Sequence, residues 1–378
     1  MTPAPDSIIP LLEGMRHHKA SDLHLKAGVP PYYRIAGDLK KTNLPAFSLT
    51  EDQIAKLMEP LIPKRRFEEY ERRGALDFAL TLPDGERFRV NIMRSCDKMH
   101  AAIRRVKNII PSFEELHLPP IYRKIADETH EGLVIVCGVT GCGKSTTLAA
   151  MIDHINETRH VNIISIEDPI EYVFKPKLGI ISQREIGLDV DHFNDALRSA
   201  VRQDPDVIFI GELRDKETML AALQAAETGH LVFCTLHTAD TMQSLARILE
   251  FFPPDQHGFI RSSMANGIRA IMAQRLLPTI DVEKLRAPAT EVLLGDAIVK
   301  EKIREAGDTD LPEIIAGAKD AGMRSFTQSL AELVETGMVF TDVAMEYAPN
   351  REALLASIRG IKTSAQTLVH RVKRTGTS

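Results

Sequence analysis

The sequence predicts an α/β core domain, preceded by a small α+β domain and followed by a helical subdomain. The chain has 378 residues, of which 44% are apolar, and this length exceeds what one hydrophobic core usually serves. From Gly132, continuous apolar runs alternate with helical stretches, as in parallel strands covered on both faces. Helical periodicity dominates after Pro278. We therefore predict domains at residues 1–115, 116–280 and 281–378.

Short strand-like segments characterise the first domain. ASDLHLKAG and PPYYRIAG are bounded by Pro or Gly, whereas GALDFALTL and RFRVNIM alternate apolar and polar residues with period two. Asn108–Pro120 contains three prolines and has no sustained periodicity, which predicts a linker. The first domain is therefore expected to be α+β and to end near residue 115.

Five apolar runs define the predicted core sheet: LVIVCG, VNIISIED, LGIISQ, DVIFIG and HLVFCTLH. The segments between them are long enough for crossover helices, which favours parallel strands. Three helical stretches follow, IVKEKIREAG, LPEIIAGAKDAG and FTQSLAELVETG, and each ends at a glycine, a common helix stop. These stretches predict the helical C-terminal subdomain.

The composition excludes several classes of protein. The chain carries 47 Lys and Arg against 52 Asp and Glu, so it lacks the cationic excess of a sequence-independent nucleic-acid binder, and no nucleic acid is expected. No apolar stretch approaches the length of a membrane span, and the N-terminus lacks a secretory signal pattern, which predicts a cytoplasmic protein. The four cysteines form no CxxC pair, which argues against a zinc site.

The last 28 residues form a basic tail, with six Lys and Arg against one acidic residue. Most tails of this kind are simply solvated. A weaker hypothesis is that the tail docks on an acidic loop or on lipid headgroups.

The strongest chemical signal is GVTGCGKST, which satisfies the phosphate-loop pattern GxxxxGK[ST] between an apolar strand and a helical run. Backbone N–H groups of such a loop surround phosphate oxygens, the lysine reaches the β and γ phosphates, and the hydroxyl after it binds Mg²⁺. These roles predict ATP and Mg²⁺ as cofactors, with Lys144 as the cation and Ser145 as a metal ligand. The predicted nucleotide-binding residues are Gly138, Val139, Thr140, Gly141, Cys142, Gly143, Lys144, Ser145 and Thr146.

Cys142 lies inside this loop, beside a lysine and a helix N-terminus. Both stabilise a thiolate, so we expect a lowered pKa and a reactive thiol that nucleotide protects. The alternative is a neutral loop residue of ordinary reactivity.

Acidic residues follow two of the apolar runs. DVIFIGE places Glu212 just beyond a buried strand, where it could orient water or hold Mg²⁺, although Gly211 stands where such strands usually carry Asp. IEDPIE offers Glu167 and Asp168; Asp168 precedes a proline and is interpreted as a turn residue, so Glu167 is the functional candidate. The absence of an NKxD motif favours ATP over GTP.

Two histidines flank the last apolar run, in GHLVFCTLHT. His237 ends the strand, near the usual ligand crevice of an open α/β sheet, and is a candidate sensor of the γ-phosphate. His230 precedes the strand, and for it a structural role and a catalytic role are equally supported.

The order GVTGCGKSTTLA, ISIEDPIEYV, DPDVIFIGELRD and AAETGHLVFCTLHTAD resembles the secretion ATPase superfamily, and within it the type IV pilus retraction, or twitching motility, ATPases. ASDLHLKAGVPPYYRIAGDL, RFRVN and GMRSFTQSL extend the resemblance over most of the chain. The resemblance implies a RecA-like P-loop ATPase core behind an N-terminal PAS-like domain. It also implies that Glu212 is the catalytic glutamate, Glu167 the glutamate of the acidic box, and His230 and His237 the histidine box.

The resemblance further implies a homohexameric ATPase motor that powers pilus retraction at the inner face of the cytoplasmic membrane. Its partners would be a membrane-embedded platform protein and a possible paralogous pilus ATPase. N-terminal arginines would complete the nucleotide site, since a cation near the γ-phosphate stabilises transition-state charge. Arg94 and Arg104 are the main candidates, and Arg87 and Arg89 are further ones. Asp97 departs from the family's basic character just after Arg94.

Several alternatives share this core. A type II or type IV secretion ATPase, or a conjugation ATPase, would lack the ASDLHLK opening. A nucleic-acid motor would show ATPase activity stimulated by DNA. An accessory retraction ATPase would depend on a paralogue for force. Retraction is favoured over pilus assembly because the chain is too short for an additional N-terminal domain and has no CxxC zinc insertion.

Overall fold

The computed structural model describes residues 6–35, 37–41, 48–106, 109–281 and 286–360. The chain divides into two compact units, Met1–Ile109 with Glu171–Val173, and Ile110–Ile170 with Phe174–Ser378. None of the helices in these ranges is both long enough and apolar enough to cross a bilayer. The part of the basic tail after Gly360 lies outside the described residues.

The N-terminal unit contains a six-stranded antiparallel sheet in the order β3-β2-β1-β6-β5-β4. On β5, Phe88, Val90 and Ile92 are buried, and the residues between them are partly exposed. This alternation is the period-two pattern that predicted the strand. The elements are β1 (Asp22–Leu25), β2 (Tyr32–Ile35), β3 (Asp38–Lys41), β4 (Ala75–Thr81), β5 (Arg87–Ser95), β6 (Lys98–Arg105), α1 (Ile9–His17), α2 (Glu51–Met58) and α3 (Phe67–Arg73).

The second unit contains a seven-stranded sheet in the order β13-β12-β7-β11-β10-β8-β9, parallel except for β13. Its strands are β7 (Gly132–Cys137), β8 (Asn162–Glu167), β9 (Ile180–Glu185), β10 (Val207–Ile210), β11 (Leu231–Leu236), β12 (Ile268–Pro278) and β13 (Arg286–Leu294). The five predicted runs form β7 to β11. Every residue of β7, β10 and β11 is buried, which explains why these runs show no polar alternation. The predicted α/β class is confirmed.

Eleven α-helices accompany this sheet in the described part of the unit: α4 (Pro120–Glu128), α5 (Lys144–Thr158), α6 (Phe193–Ala200), α7 (Lys216–Glu227), α8 (Thr241–Glu250), α9 (His257–Gly267), α10 (Ala297–Arg304), α11 (Leu311–Gly317), α12 (Phe326–Glu335), α13 (Thr341–Tyr347) and α14 (Arg351–Ile358). The three predicted C-terminal helices are α10, α11 and α12. Leu330 of α12 and Leu354 of α14 are buried in the same hydrophobic cluster as Leu133 of β7. The C-terminal helices therefore share the core of the sheet.

The sequence did not predict β12 and β13. They pair antiparallel from Ala270 opposite Leu294 to Pro278 opposite Arg286, so β13 joins the sheet within the segment expected to be helical. The predicted domain boundary at residue 280 falls in the connection between these strands. Strand pairing is a long-range interaction that local periodicity does not report, which is why the helical pattern after Pro278 concealed this strand.

Candidate active site

The predicted phosphate loop connects β7 to α5. Gly138 and Gly143 have φ values of 152° and 94°, and residues that carry a side chain rarely adopt such values. A Cβ at Gly138 would lie 2.4 Å from Cys142 Sγ, and a Cβ at Gly143 would lie 2.8 Å from Gln274 Nε2. Both positions therefore require glycine. The loop leads directly into the N-terminus of α5, and the positive end of a helix dipole favours a bound phosphate.

Lys144 is only 7% exposed. Its Nζ donates to Gly138 O at 2.8 Å and to Val139 O at 3.3 Å, so the ammonium group spans the loop. Ser145 and Thr146 follow on the first turn of α5 and are partly exposed. The loop thus gathers a cation, a hydroxyl and a helix N-terminus.

Gln274 of β12 is a supporting residue that the sequence analysis missed. The residue is 3% exposed. Its Nε2 donates to Cys142 O at 2.7 Å, and its Oε1 accepts from Thr147 Oγ1 at 2.8 Å. The amide therefore ties the loop to the first turn of α5 with both of its polar atoms used. A lone glutamine in the apolar run AIMAQRLLP was the available signal.

Glu212 follows β10 and lies in a cluster of charged groups. Its Oε2 accepts from Arg214 Nε at 2.7 Å, and its Oε1 lies 3.5 Å from His237 Nε2. The other ring nitrogen of His237, Nδ1, lies 3.4 Å from Thr140 Oγ1 of the phosphate loop. The structure thus brings Glu212 and His237 together beside the loop, as expected for residues at the carboxyl ends of neighbouring parallel strands.

The environment of His237 favours its neutral form. Burial lowers its pKa, and the nearby charges of Lys144 and Arg214 lower it further, while Glu212 opposes them. The net pKa lies below the ordinary value of 6.5. At neutral pH the imidazole is therefore uncharged, with one ring nitrogen donating and the other accepting.

This lowered pKa predicts a pH dependence of stability. Below about pH 6.5 the unfolded chain binds a proton at His237 before the folded chain does, so stability falls as pH falls. His237→Gln should therefore lose less free energy of unfolding than wild type between pH 7.5 and pH 5.5. Urea unfolding of both proteins at the two pH values measures the difference. An identical loss in both proteins would contradict the neutral imidazole.

Asp168, interpreted from the sequence as a turn residue, joins this cluster. Its Oδ2 accepts from Arg214 Nη1 at 2.9 Å. Glu167, the functional candidate, is 5% exposed at the end of β8, and its Oε1 accepts from Ser165 Oγ at 2.7 Å and Gln183 Nε2 at 3.1 Å. Arg214 thus donates hydrogen bonds to both Asp168 and Glu212. The catalytic role of Glu167 stays a prediction.

The structure does not bring His230 to the phosphate loop. His230 precedes β11, and its Nδ1 lies 3.0 Å from Ala225 O and 3.2 Å from Thr228 Oγ1 at the end of α7. The six residues of β11 lie between His230 and His237, and seven steps at the usual rise per residue separate the two histidines by about 23 Å. A catalytic contact of His230 with a nucleotide bound by the same chain is therefore not supported.

Arg94 and Arg104 form ion pairs inside the N-terminal unit. Arg94 Nη2 lies 3.3 Å from Glu71 Oε1. Arg104 Nε donates to Asp22 Oδ1 at 2.7 Å. Burial raises the pKa of Asp22, but hydrogen bonds from Ser21 and Arg104 outweigh it and hold that pKa below its usual value. The role of these arginines at a nucleotide site stays a prediction.

The expectation of a lowered Cys142 pKa is wrong. The residue is 3% exposed, and burial raises the pKa of its thiol more than Lys144 and the backbone N–H groups lower it. The sequence showed the cation and the helix N-terminus but not the packing that removes water from the sulfur. Cys142 is therefore a buried loop residue with a protonated thiol.

Two cavities adjoin the phosphate loop and share Val139 and Ala239 in their walls. One, of about 610 Å³, is lined by Glu212, Arg214, His237 and residues of α8. The other, of about 440 Å³, is lined by residues of the loop, of β12 and of the end of α13. The phosphate loop thus lies between the two cavities. The larger one contains Glu212 and Arg214, and the smaller one contains both charged and apolar side chains.

A model of the family described as type II/IV secretion system protein matches residues 3–332. The chain belongs to this family. The resemblance inferred from the motifs is therefore confirmed.

Individual relatives agree with this assignment. The type IV pilus retraction ATPase PilT of Pseudomonas aeruginosa is 37% identical over 329 residues, which cover 87% of this chain and 94% of that protein. The type IV pilus ATPase PilU of the same organism is 38% identical over 350 residues, which cover 92% and 90%. This member of the secretion family is thus an ATPase with a RecA-like P-loop core.

A solved structure supports the fold and the ligand class. The crystal structure of the pilus retraction motor PilT with bound ADP is 39% identical, has a TM-score of 0.84, and covers 92% of this chain and 98% of that one. This similarity supports the binding of a nucleotide by this chain.

Proposed function

We propose that this chain is a Mg²⁺-dependent ATPase motor that powers retraction of a type IV pilus. The observation that carries this proposal is the placement of Glu212 and His237 against the phosphate loop, in a chain similar to a retraction motor over nearly its whole length. The predicted nucleotide-binding loop and two of the predicted catalytic residues, Glu212 and His237, would then form one site.

The phosphate loop would bind the nucleotide through its backbone N–H groups and Lys144. In the structure the Lys144 ammonium is held across the loop by two loop carbonyls. Ser145 and Glu212 offer the hydroxyl and carboxylate oxygens that Mg²⁺ prefers, with Glu212 acting partly through water. When bound, Mg²⁺ would neutralise phosphate charge.

Glu212 would accept the proton of the attacking water. Its carboxylate is anchored on one oxygen by Arg214 and lies near His237 on the other, which limits the directions it can take. His237, neutral at pH 7, would connect this carboxylate to Thr140 of the loop and so report whether a γ-phosphate is present. Fixed geometry of this kind lowers the reorganisation needed during reaction.

The base of the nucleotide would occupy the 440 Å³ cavity. Its wall includes Leu276 and Tyr347, which offer apolar and aromatic surface to a purine ring, and Arg286, which offers donors to a ribose or an adenine. The phosphates would then lie at the loop, and the γ-phosphate would point into the 610 Å³ cavity.

The working unit would be a homohexamer at the inner face of the cytoplasmic membrane, acting on a membrane-embedded platform protein. Arg94 or Arg104 would complete the site, and their ion pairs with Glu71 and Asp22 would break in that state. Subunit closure and reopening would convert hydrolysis into movement.

A second candidate is an accessory retraction ATPase that depends on a paralogue for force. The identities to the two pilus ATPases PilT and PilU, 37% and 38%, are nearly equal and do not favour one of them over the other.

Deletion of the gene tests the proposal. We expect excess surface pili that do not retract, and restoration by the wild-type gene but not by a Glu212→Gln gene. An unchanged pilus number and unchanged motility would overturn it. Restoration by Glu212→Gln, dependent on a paralogous ATPase, would instead establish the accessory role.

A further inference from the structure

Arg214 holds two carboxylates at the edge of the 610 Å³ cavity. Its Nε donates to Glu212 Oε2 at 2.7 Å, and its Nη1 donates to Asp168 Oδ2 at 2.9 Å. The side chain is 50% exposed and shares the cavity wall with His237 and with Val139 of the phosphate loop. The cation therefore faces the space next to the loop.

The charges of this cluster change when ATP replaces ADP. The γ-phosphate would add negative charge near Glu212 and Asp168, and like charges repel at short range. A guanidinium carries five N–H donors in a planar fork, so one edge can keep a partner while another edge changes partner. Arg214 already uses its two edges separately, with Glu212 on Nε and Asp168 on Nη1.

We propose that Arg214 is a γ-phosphate sensor that exchanges one carboxylate for phosphate. In the structure Arg214 bridges Glu212 and Asp168. When ATP binds, Nη1 leaves Asp168 and donates to a γ-phosphate oxygen, while Nε keeps Glu212 aimed at the attacking water. No covalent bond changes in this step. The inference rests on the proposed roles of Lys144 and Glu212.

The chain supplies a matched control in Arg247 of α8. Its side chain is also 50% exposed and lines the same cavity, and its Nη1 pairs with Glu250 Oε2 at 2.8 Å on the same helix. Arg247→Ala therefore removes an equally exposed arginine from the same cavity wall.

The test compares binding of Mg-ADP with binding of a non-hydrolysable Mg-ATP analogue by calorimetry. Arg214→Ala should lower the affinity for the analogue about tenfold, which corresponds to the loss of one charge-assisted hydrogen bond of about 1.4 kcal/mol. The affinity for ADP should stay within about twofold of wild type. The kcat of this variant should fall at least about tenfold, because Glu212 loses its anchor. Arg247→Ala should leave both affinities and kcat near wild type.

Asp168→Asn supplies a variant of opposite expected sign. Asp168 competes with the γ-phosphate for Nη1, so a neutral amide should strengthen analogue binding a few-fold, by about 0.5–1 kcal/mol, without changing ADP binding. This variant also keeps the inference testable if Arg214→Ala fails to fold.

Two results would overturn the exchange. One is an equal loss of ADP and analogue affinity in Arg214→Ala, and the other is weaker analogue binding in Asp168→Asn. Failure of the proposed function looks different. In that case Lys144→Ala would still bind both nucleotides, or Glu212→Gln would still turn over, whatever Arg214 does.

Discussion

We expect that replacing Lys144 with alanine abolishes detectable nucleotide binding, and with it hydrolysis. The Lys144 Nζ is the cation that lies across the loop, 2.8 Å from Gly138 O. Without it, the phosphates would meet two loop carbonyls with no positive charge between them. Charge-assisted hydrogen bonds contribute about 1.5–3 kcal/mol each, so loss of contacts to two phosphates lowers affinity at least about a hundredfold.

Fluorescent ATP binding and phosphate release measure this effect. Lys177→Ala is a matched control, because Lys177 pairs with Asp153 and Glu157 of α5, the helix that the phosphate loop opens, but not with the loop itself. We expect its affinity to stay within about twofold of wild type, since exposed ion pairs contribute little. Retention of ATP binding by Lys144→Ala would remove the basis of the proposed site.

Replacing Glu212 with glutamine should keep ATP bound and stop turnover. The amide oxygen can still accept from Arg214 Nε, so the side chain keeps its place, but an amide cannot accept the proton of water. A positioned general base contributes about 10²- to 10⁴-fold to rate, so kcat should fall about a thousandfold. ATP affinity should remain within a few-fold of wild type.

Single-turnover hydrolysis and nucleotide retention on a filter distinguish these two effects. Glu250→Gln, in the wall of the same cavity, is the control and should hydrolyse ATP normally. Equal loss of ATP affinity in Lys144→Ala and Glu212→Gln would contradict their separate roles.

Strong local signals explain what the sequence predicted correctly. The strands β7, β8, β10 and β11 are buried along most of their length, so their apolar runs stand out from the helices between them. Glu212 and His237 could each be placed at the carboxyl end of a strand, where the ligand crevice of an open α/β sheet usually lies. The same rule applied to His230, which precedes β11, would have predicted its remote position.

Residues with distant partners were missed. Arg214 meets Asp168 across 46 positions, and Gln274 meets the carbonyl of Cys142 across 132. Neither contact leaves a periodic trace, because each depends on where two separate strands end or lie in the sheet. The prediction of a lowered Cys142 pKa was wrong for a related reason. The neighbouring charge of Lys144 is visible in the sequence, but the burial that raises the pKa depends on how the loop packs.

By itself, the sequence determined the α/β class, the family and the phosphate loop. It also determined that Glu212 follows β10 and that His237 follows β11. The glycine spacing, the apolar runs and the lysine are local features of the sequence. They can be recognised without knowing which distant residues they contact. Only the tertiary structure decided that Asp168 contacts Arg214, that Gln274 holds the loop and that β13 joins the sheet. Those features follow from strand order and direction, which determine the partner of each side chain.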